Sequence, residues 1–276
     1  MSGTDLLLFM DHLDLQCAGA RAALALARRL EARLDALYVA DLPAAAFSLP
    51  EAVPVQLEET RRRCAEAELH GDAWRALLSS QGLSGVWRVA QGDSVQTVCQ
   101  AASGYDLLVM ERSQQRSDAP VGFGKVSRSV FGTGRPVLVV PDTITIDEVG
   151  ARVLVAWNGS RESAIALAAA APLLRQAAEV ILLDGSSMLP EDAIPVLPPP
   201  GLSDWLQRRG IRAHIEVFDS GPTHAAGPLL LEAAHSRHAD LIVMGAWSRS
   251  RLAEMMLGGT TRHLFMHSDL PMLVAH

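Results

Sequence analysis

Glycines and a hydroxyl follow an apolar run near the end of the chain, in a pattern that can bind phosphate. The run DLIVM ends at Gly245, and Gly258, Gly259 and Thr260 come at the start of a helix predicted over 259–268. Free backbone N–H groups, a side-chain hydroxyl and the positive end of a helix together attract anions. The same residues also occur in ordinary turns and helix caps. The pattern therefore leaves a phosphate site and a structural turn both open.

A second polar segment is predicted to lie beside the first. The sequence WNGS (157–160) follows another apolar run and contributes Asn158. In an open parallel sheet, ligands bind at the carboxyl ends of the strands, where the strand order reverses. Ser248, Arg249 and Arg251 add a hydroxyl and two cations on the facing loop, and such groups suit a phosphate. The two segments predict one ligand site.

Other chemical patterns in the chain are weaker. His263 and His267 have the i, i+4 spacing of zinc ligands, but the sequence has neither an HExxH motif nor an evident third ligand. Gly124 and Lys125 resemble the end of a P-loop, but Ala119 stands where that motif needs glycine. No Ser/His/Asp order or carboxylate pair indicates a catalytic base. We predict no metal site and no catalytic residue.

The composition argues against several classes of protein. The net charge is −7 and the basic residues are scattered, whereas a nucleic-acid partner requires a concentrated basic face. No apolar run has the length of a membrane span, and the first residues lack the basic region of a signal peptide. Cys17, Cys64 and Cys99 are few and have no CxxC spacing, which indicates a reducing compartment. We therefore predict a cytoplasmic protein with no nucleic-acid or membrane partner.

The elements that position the candidate site occur twice in the chain. The order DLLLFMD, YDLLVMERS, GRPVLVVPD in the first half returns as RVLVAWN, ADLIVMGAW, DLPMLVAH in the second. The period of about 135 to 145 residues is too long for a solenoid and favours two homologous domains. We place the domains at 1–142 and 150–276, on either side of a polar segment.

Within each copy, apolar runs of five or six residues alternate with helical segments. Such runs are typical of strands buried on both faces, and the alternation predicts an α/β fold. Each domain is expected to have a five-stranded parallel sheet with helices on both faces. The strands are predicted at 5–10, 35–40, 86–90, 106–110 and 136–140, and at 152–157, 179–184, 213–218, 240–244 and 271–275. One long helix is predicted over 56–81, and the prolines of 186–201 predict a loop there.

With these features in place, the chain resembles the universal stress protein family, in its tandem form with two Rossmann-like domains. The resemblance covers nearly the whole chain, twice. Its most specific element is the family's ATP motif, Gly-x2-Gly-x9-Gly followed by Ser or Thr. Gly245 and Gly258 match the first and third positions, and Ser248 replaces the second glycine. Gly259 stands at the hydroxyl position, with Thr260 one residue further on.

The two copies differ at this motif. ATP-binding members of the family carry an acidic residue at the end of the first strand. Asn158 takes that place in the second copy, and Asp11 takes it in the first. Glu111 and Gln114 occupy the first two glycine positions of the first copy, and a carboxylate repels phosphate. We predict that the first domain has lost the ATP site.

The resemblance implies a stress-response regulatory protein whose second domain binds ATP, together with Mg²⁺, or another adenine nucleotide. At most a weak ATPase is expected, because the sequence shows no dedicated base. An enzyme of the wider nucleotide α-hydrolase-like superfamily would need a signature such as a HIGH-type or PP-loop motif, which the sequence lacks. In the family the closing strands pair across a two-fold axis. The resemblance therefore implies that the two halves pair as a pseudo-dimer through these edge strands, and that full chains form a homodimer. The alternative is a nucleotide-free scaffold of the same fold that acts through protein–protein contacts.

Overall fold

The structure is a computed structural model that describes residues 3–42, 51, 53–113, 124–144, 148–186, 201–219, 226–246 and 259–276. The first half contains β1 (Asp5–Met10), α1 (Ala18–Leu30), β2 (Arg33–Asp41), α2 (Val53–Glu68), α3 (Gly71–Ser80), β3 (Trp87–Gly92), α4 (Ser94–Ala102), β4 (Leu107–Arg112), α5 (Lys125–Gly132) and β5 (Val137–Pro141). The second half contains β6 (Arg152–Trp157), α6 (Arg161–Leu174), β7 (Glu179–Asp184), α7 (Leu202–Arg208), β8 (His214–Val217), α8 (Ala226–Ser236), β9 (Leu241–Gly245), α9 (Gly259–His267) and β10 (Met272–Ala275). Each predicted strand overlaps an observed one, and the bounds differ by no more than two residues.

The strands of both halves form one continuous sheet. Its order is β3-β2-β1-β4-β5-β10-β9-β6-β7-β8. All pairs within a half are parallel, which confirms the predicted α/β fold. The single antiparallel pair is β5 with β10, where Leu138 lies opposite Leu273. The closing strands thus join the two halves in the way that the resemblance implies.

Helices cover both faces of this sheet, and side chains alternate between the two. Along β1, Leu6, Leu8 and Met10 belong to one apolar cluster, and Leu7 and Phe9 belong to the other. This alternation follows from the two-residue period of a strand. The first cluster includes residues of α1, α2, α3, α6 and α7, and the second includes residues of α4, α5, α8 and α9. Both clusters extend through both halves, so the halves share one core on each face.

The long helix predicted over 56–81 is wrong, because two helices, α2 and α3, occupy this region. The break frees the carbonyl of Ala67, which would otherwise accept from the N–H of Gly71. The indole Nε1 of Trp87 donates to this carbonyl at 2.8 Å, and the N–H of His70 donates to it at 3.1 Å. The fully buried Trp74 lies in the turn that follows. Trp87 of β3 thus stabilises a helix break at which the sequence has no proline.

Two other expectations concern chain segments of unusual composition. The proline-rich segment 187–200, predicted as a loop, lies outside the described residues. None of the helices in the described part combines the length and the apolar character needed to cross a membrane.

Candidate functional site

The candidate site lies where two neighbouring strands of the second half end. β6 pairs with β7 on one side and with β9 on the other. The chain therefore leaves β6 in one direction and later returns on its opposite side, which is the strand-order reversal where α/β sheets bind ligands. The register pairs Ala156 with Met244, so Asn158 and Gly245 come to the same edge of the sheet.

A tight turn after β6 starts helix α6 at this edge. The side-chain oxygen of Asn158 accepts a hydrogen bond from the N–H of Ser160 at 3.1 Å, and Gly159 has a φ of 76°. The hydroxyl of Ser160 then accepts from the N–H of Ser163 at 3.2 Å and caps the helix. Asn158 therefore shapes the turn that aims the N-terminus of α6 at the carboxyl edge of the sheet.

Gly245 ends β9 in contact with the first turn of α6. A methyl group placed on Gly245 would lie 2.4 Å from the nitrogen of Ser163 and 2.6 Å from the carbonyl carbon of Glu162. Such distances are impossible without moving the backbone. Gly245 is thus required by the close packing of helix against strand, whether or not a ligand binds.

The N-terminus of α9 reaches the same edge. Because β9 and β10 are parallel, the chain between them must return to the amino end of the sheet, and α9 makes that return. Its first residues, Gly259 and Thr260, therefore lie near the carboxyl ends of the strands. Among the described residues, no atom beyond its chain neighbours and its own helix backbone lies within 4 Å of a methyl group placed on Gly259, and Thr261 is buried. The remaining two predicted residues, Ser248 and Gly258, lie outside the described residues.

The matching edge of the first half is filled by a carboxylate. Glu111 of β4 accepts a hydrogen bond from the N–H of Gly19 at 2.7 Å through Oε2. Its Oε1 lies 3.0 Å from Nε2 of His12, and the thiol of Cys17 is close to both. Glu111 thus occupies the N-terminus of α1, and the residue at its position in the described part of the second half is Gly245.

The ionisation of this pair follows from its surroundings. Burial raises the pKa of Glu111, but the hydrogen bonds from His12 and Gly19 outweigh it and hold the pKa below its usual range. The hydrogen bond to Glu111 in turn raises the pKa of His12 against the opposing effect of burial. Glu111 is therefore anionic at neutral pH and repels a phosphate at this edge.

A second set of ion pairs in the first half joins the start of α5 to the ends of β1 and β2. Nζ of Lys125, the first residue of α5, lies 2.8 Å from Oδ1 of Asp11 and 3.8 Å from Oδ2 of Asp41. Asp11 is the acidic residue that sequence comparison placed at the end of the first strand. Its partner in this structure is a lysine of the same chain.

One buried arginine links the first half to the last helix of the second. Arg112, the final residue of β4, donates to the backbone carbonyls of Phe265 and Ser268. These carbonyls end α9, where a cation is favourable. The N-terminus of α9 lies at the candidate site, so the first half holds the opposite end of a helix that contributes to it. The sequence did not predict this contact, because Arg112 ends a buried strand and belongs to no motif.

Comparison with known proteins adds the family. The family model described as "Universal stress protein family" matches residues 5–141 and 151–276. Among solved structures, a universal stress protein from Archaeoglobus fulgidus DSM 4304 aligns with a TM-score of 0.73 and 19% identity, over 98% of this chain and 95% of its own. A functionally unknown protein from Pseudomonas aeruginosa PAO1 aligns with a TM-score of 0.59 and 18% identity, over 99% of this chain and 92% of its own. These two likenesses concern the fold. No curated protein matches the sequence.

Proposed function

Because the chain belongs to the universal stress protein family, we propose that it is a stress-response regulator that binds ATP or another adenine nucleotide through its second half. The observation that carries this proposal is the position of two helix N-termini, those of α6 and α9, at one edge of the sheet. Exposed N–H groups and positive helix ends attract phosphate there. The role we assign is regulation and not catalysis.

In this proposal the phosphates bind at the start of α9. The N–H groups of Gly259 and Thr260 and the hydroxyl of Thr260 are the described donors. The space beside Gly259, as far as the described residues define it, supports a close approach of phosphate to the backbone. Ser248 and Gly258, which precede α9 in the sequence, complete the proposed set. Mg²⁺ would accompany the nucleotide through its phosphate oxygens.

Asn158 would lie beside the ribose, next to the phosphates. Its side-chain oxygen already holds the turn at Ser160, so we assign to it a neutral contact with the ribose. An amide in place of a carboxylate also lowers the negative charge near the phosphates. The first half receives no nucleotide in this proposal, because Glu111 occupies its helix N-terminus.

The test is calorimetry of the full chain with ATP and Mg²⁺, together with mass spectrometry of any nucleotide that the denatured protein releases. We expect one ATP per chain, and Gly258→Glu should abolish binding because it puts a carboxylate among the phosphates. The matched control, Glu111→Gln in the first half, should leave the affinity unchanged. Continued binding by the Gly258→Glu variant would locate the ligand elsewhere.

A second candidate function is a nucleotide-free scaffold of the same fold. One observation favours it: the packing of α6 against β9 accounts for Gly245 without any ligand. A folded wild-type chain that neither carries nor binds nucleotide would support the scaffold and overturn the nucleotide proposal.

We also propose that full chains associate and act in the cytoplasm. β5 pairs with β4 and β10, and β10 pairs with β5 and β9, so a homodimer must use other surfaces than these closing strands. Sedimentation of the purified protein over a range of concentrations measures that association. The cytoplasmic location is supported by three free cysteines, and cell fractionation tests it.

A further inference from the structure

Three side chains that commonly bind metals meet at the carboxyl edge of the first half. His12 follows β1, Cys17 precedes α1, and Glu111 lies in β4. Their ligand atoms all lie within 4.8 Å of one another. Imidazole, thiolate and carboxylate are the three ligand types that Zn²⁺ accepts in proteins.

Backbone groups already orient two of these ligands. The N–H of Gly19 donates to Oε2 of Glu111 at 2.7 Å, which leaves Oε1 directed at Nε2 of His12, 3.0 Å away. The N–H of Ala20 donates to Sγ of Cys17 at 3.4 Å. Such bonds outside the ligand set fix the direction of ligands and are typical of metal sites.

Burial raises the pKa of the Cys17 thiol to about 12, and the negative charge of Glu111 adds to the shift. The hydrogen bond with Glu111 raises the pKa of His12. A bound dication would release the proton of Cys17, and that of His12 when the ring is charged, and would balance one thiolate and one carboxylate.

We propose that Nε2 of His12, Sγ of Cys17 and Oε1 of Glu111 form a binding site for Zn²⁺. Three protein ligands leave one position for water, on the side of the His12 ring, which is 43% exposed. Coordination through Nε2 keeps the ring proton on Nδ1. The long contact of 3.4 Å from the N–H of Asp14 to that nitrogen is therefore given up. The site is independent of the nucleotide proposed for the second half.

The probe is Co²⁺, titrated into the reduced, nucleotide-free full chain. A thiolate ligand gives a charge-transfer band in the near ultraviolet, and four-coordinate Co²⁺ gives intense bands in the visible range. We expect both to saturate at one Co²⁺ per chain and to disappear when Zn²⁺ is added. A wild-type chain without the charge-transfer band would overturn the proposal.

Variants assign the ligands. Cys17→Ser keeps a residue that caps helices well, so the fold is retained while the charge-transfer band should vanish. The matched control, Cys64→Ser, removes a free cysteine elsewhere and should keep the full band. Glu111→Gln should weaken Co²⁺ binding about tenfold or more. A band that survives in Cys17→Ser, or Co²⁺ affinity unchanged in Glu111→Gln, would contradict the assigned ligand set.

Discussion

The two halves of this chain share one framework but finish the carboxyl edge of their sheets differently. In the first half, the side chain of Glu111 fills the space between β4 and the N-terminus of α1. In the second half, Gly245 lets the backbone of α6 come directly against β9. The residue at this one position, Glu111 or Gly245, therefore determines whether a negative charge lies at the N-terminus of the helix. Duplication kept the strands and their order, and the chemistry diverged at the residues that follow them.

The first residue of the helix that follows the fourth strand also differs between the two halves. α5 begins with Lys125, which is paired with Asp11, whereas α9 begins with Gly259. No side chain of the described residues, apart from its chain neighbours, lies within 4 Å of a methyl group placed on Gly259. In the described part of the chain, Glu111 and Lys125 occupy these places in the first half, and Gly245 and Gly259 occupy them in the second. This contrast is why we assign an anionic ligand to the second half and a cation to the first.

The largest effect on stability is expected when the second half is changed to resemble the first. Gly245→Glu should lower the free energy of unfolding by about 3 kcal/mol or more, because the new Cβ meets backbone atoms of α6. Urea unfolding followed by circular dichroism measures this. The reverse change, Glu111→Gly, causes no clash. It should lower the free energy of unfolding by only about 1 kcal/mol, because hydrogen bonds are lost. Equal losses in the two variants would show that the two edges are packed alike.

A smaller effect is expected at the next position. Arg112 binds the last carbonyls of α9, while its counterpart in the second half is Ala246, which has no side chain that could do so. Arg112→Met should lower the free energy of unfolding by about 2 kcal/mol, since it removes two charge-assisted hydrogen bonds to buried residues.

The control for this change is Arg135→Met. Arg135 is an exposed arginine that also donates to a carbonyl, that of Ser103. Its replacement should change the free energy of unfolding by less than about 0.5 kcal/mol. If Arg112→Met is as mild as this control, then Arg112 does not hold the halves together.

The smallest effect concerns the pH dependence of the His12–Glu111 pair. Folding lowers the pKa of Glu111. The contribution of Glu111 to the free energy of unfolding is therefore lost as the pH falls through that lowered value. The pKa of His12 is raised above 6.5. The contribution of His12 to the free energy of unfolding is therefore lost as the pH rises through that raised value.

The stability that the pair adds should therefore peak between these two pKa values and decline on both sides. Urea unfolding of the wild type and of His12→Gln across this range measures the difference. It should stay below about 1 kcal/mol at its maximum, because the His12 ring is partly exposed. A difference that does not vary with pH would mean that the two groups are not coupled in solution.

The sequence predicts the framework well because buried strands have a strong local signature. Most residues of runs such as DLLLFM and RVLVAW are buried, and the repeat shows which strands correspond. The break between α2 and α3 was missed because it depends on the indole of Trp87, which arrives from β3. Local propensity carries no information about such a partner.

The chemistry of the two edges was only partly predictable. The substitution of Glu111 for a glycine correctly indicated that the first half differs from the second. The meeting of His12, Cys17 and Glu111 was not foreseen, because it depends on side-chain directions between residues far apart in the chain. The role of Gly245 was ambiguous for a related reason, since a close helix and a bound phosphate both require a small residue.

The central pairing of β5 with β10 has a consequence for how the protein is made. β10 is the last described strand to be synthesised, yet it lies in the middle of the sheet. While the ribosome translates the second half, β5 therefore presents an uncovered row of N–H and carbonyl groups. A nascent chain in this condition can pair with a neighbouring copy on the same messenger RNA. Slow translation of the second half should lengthen that exposure, and co-translational chaperones would be most useful in that interval.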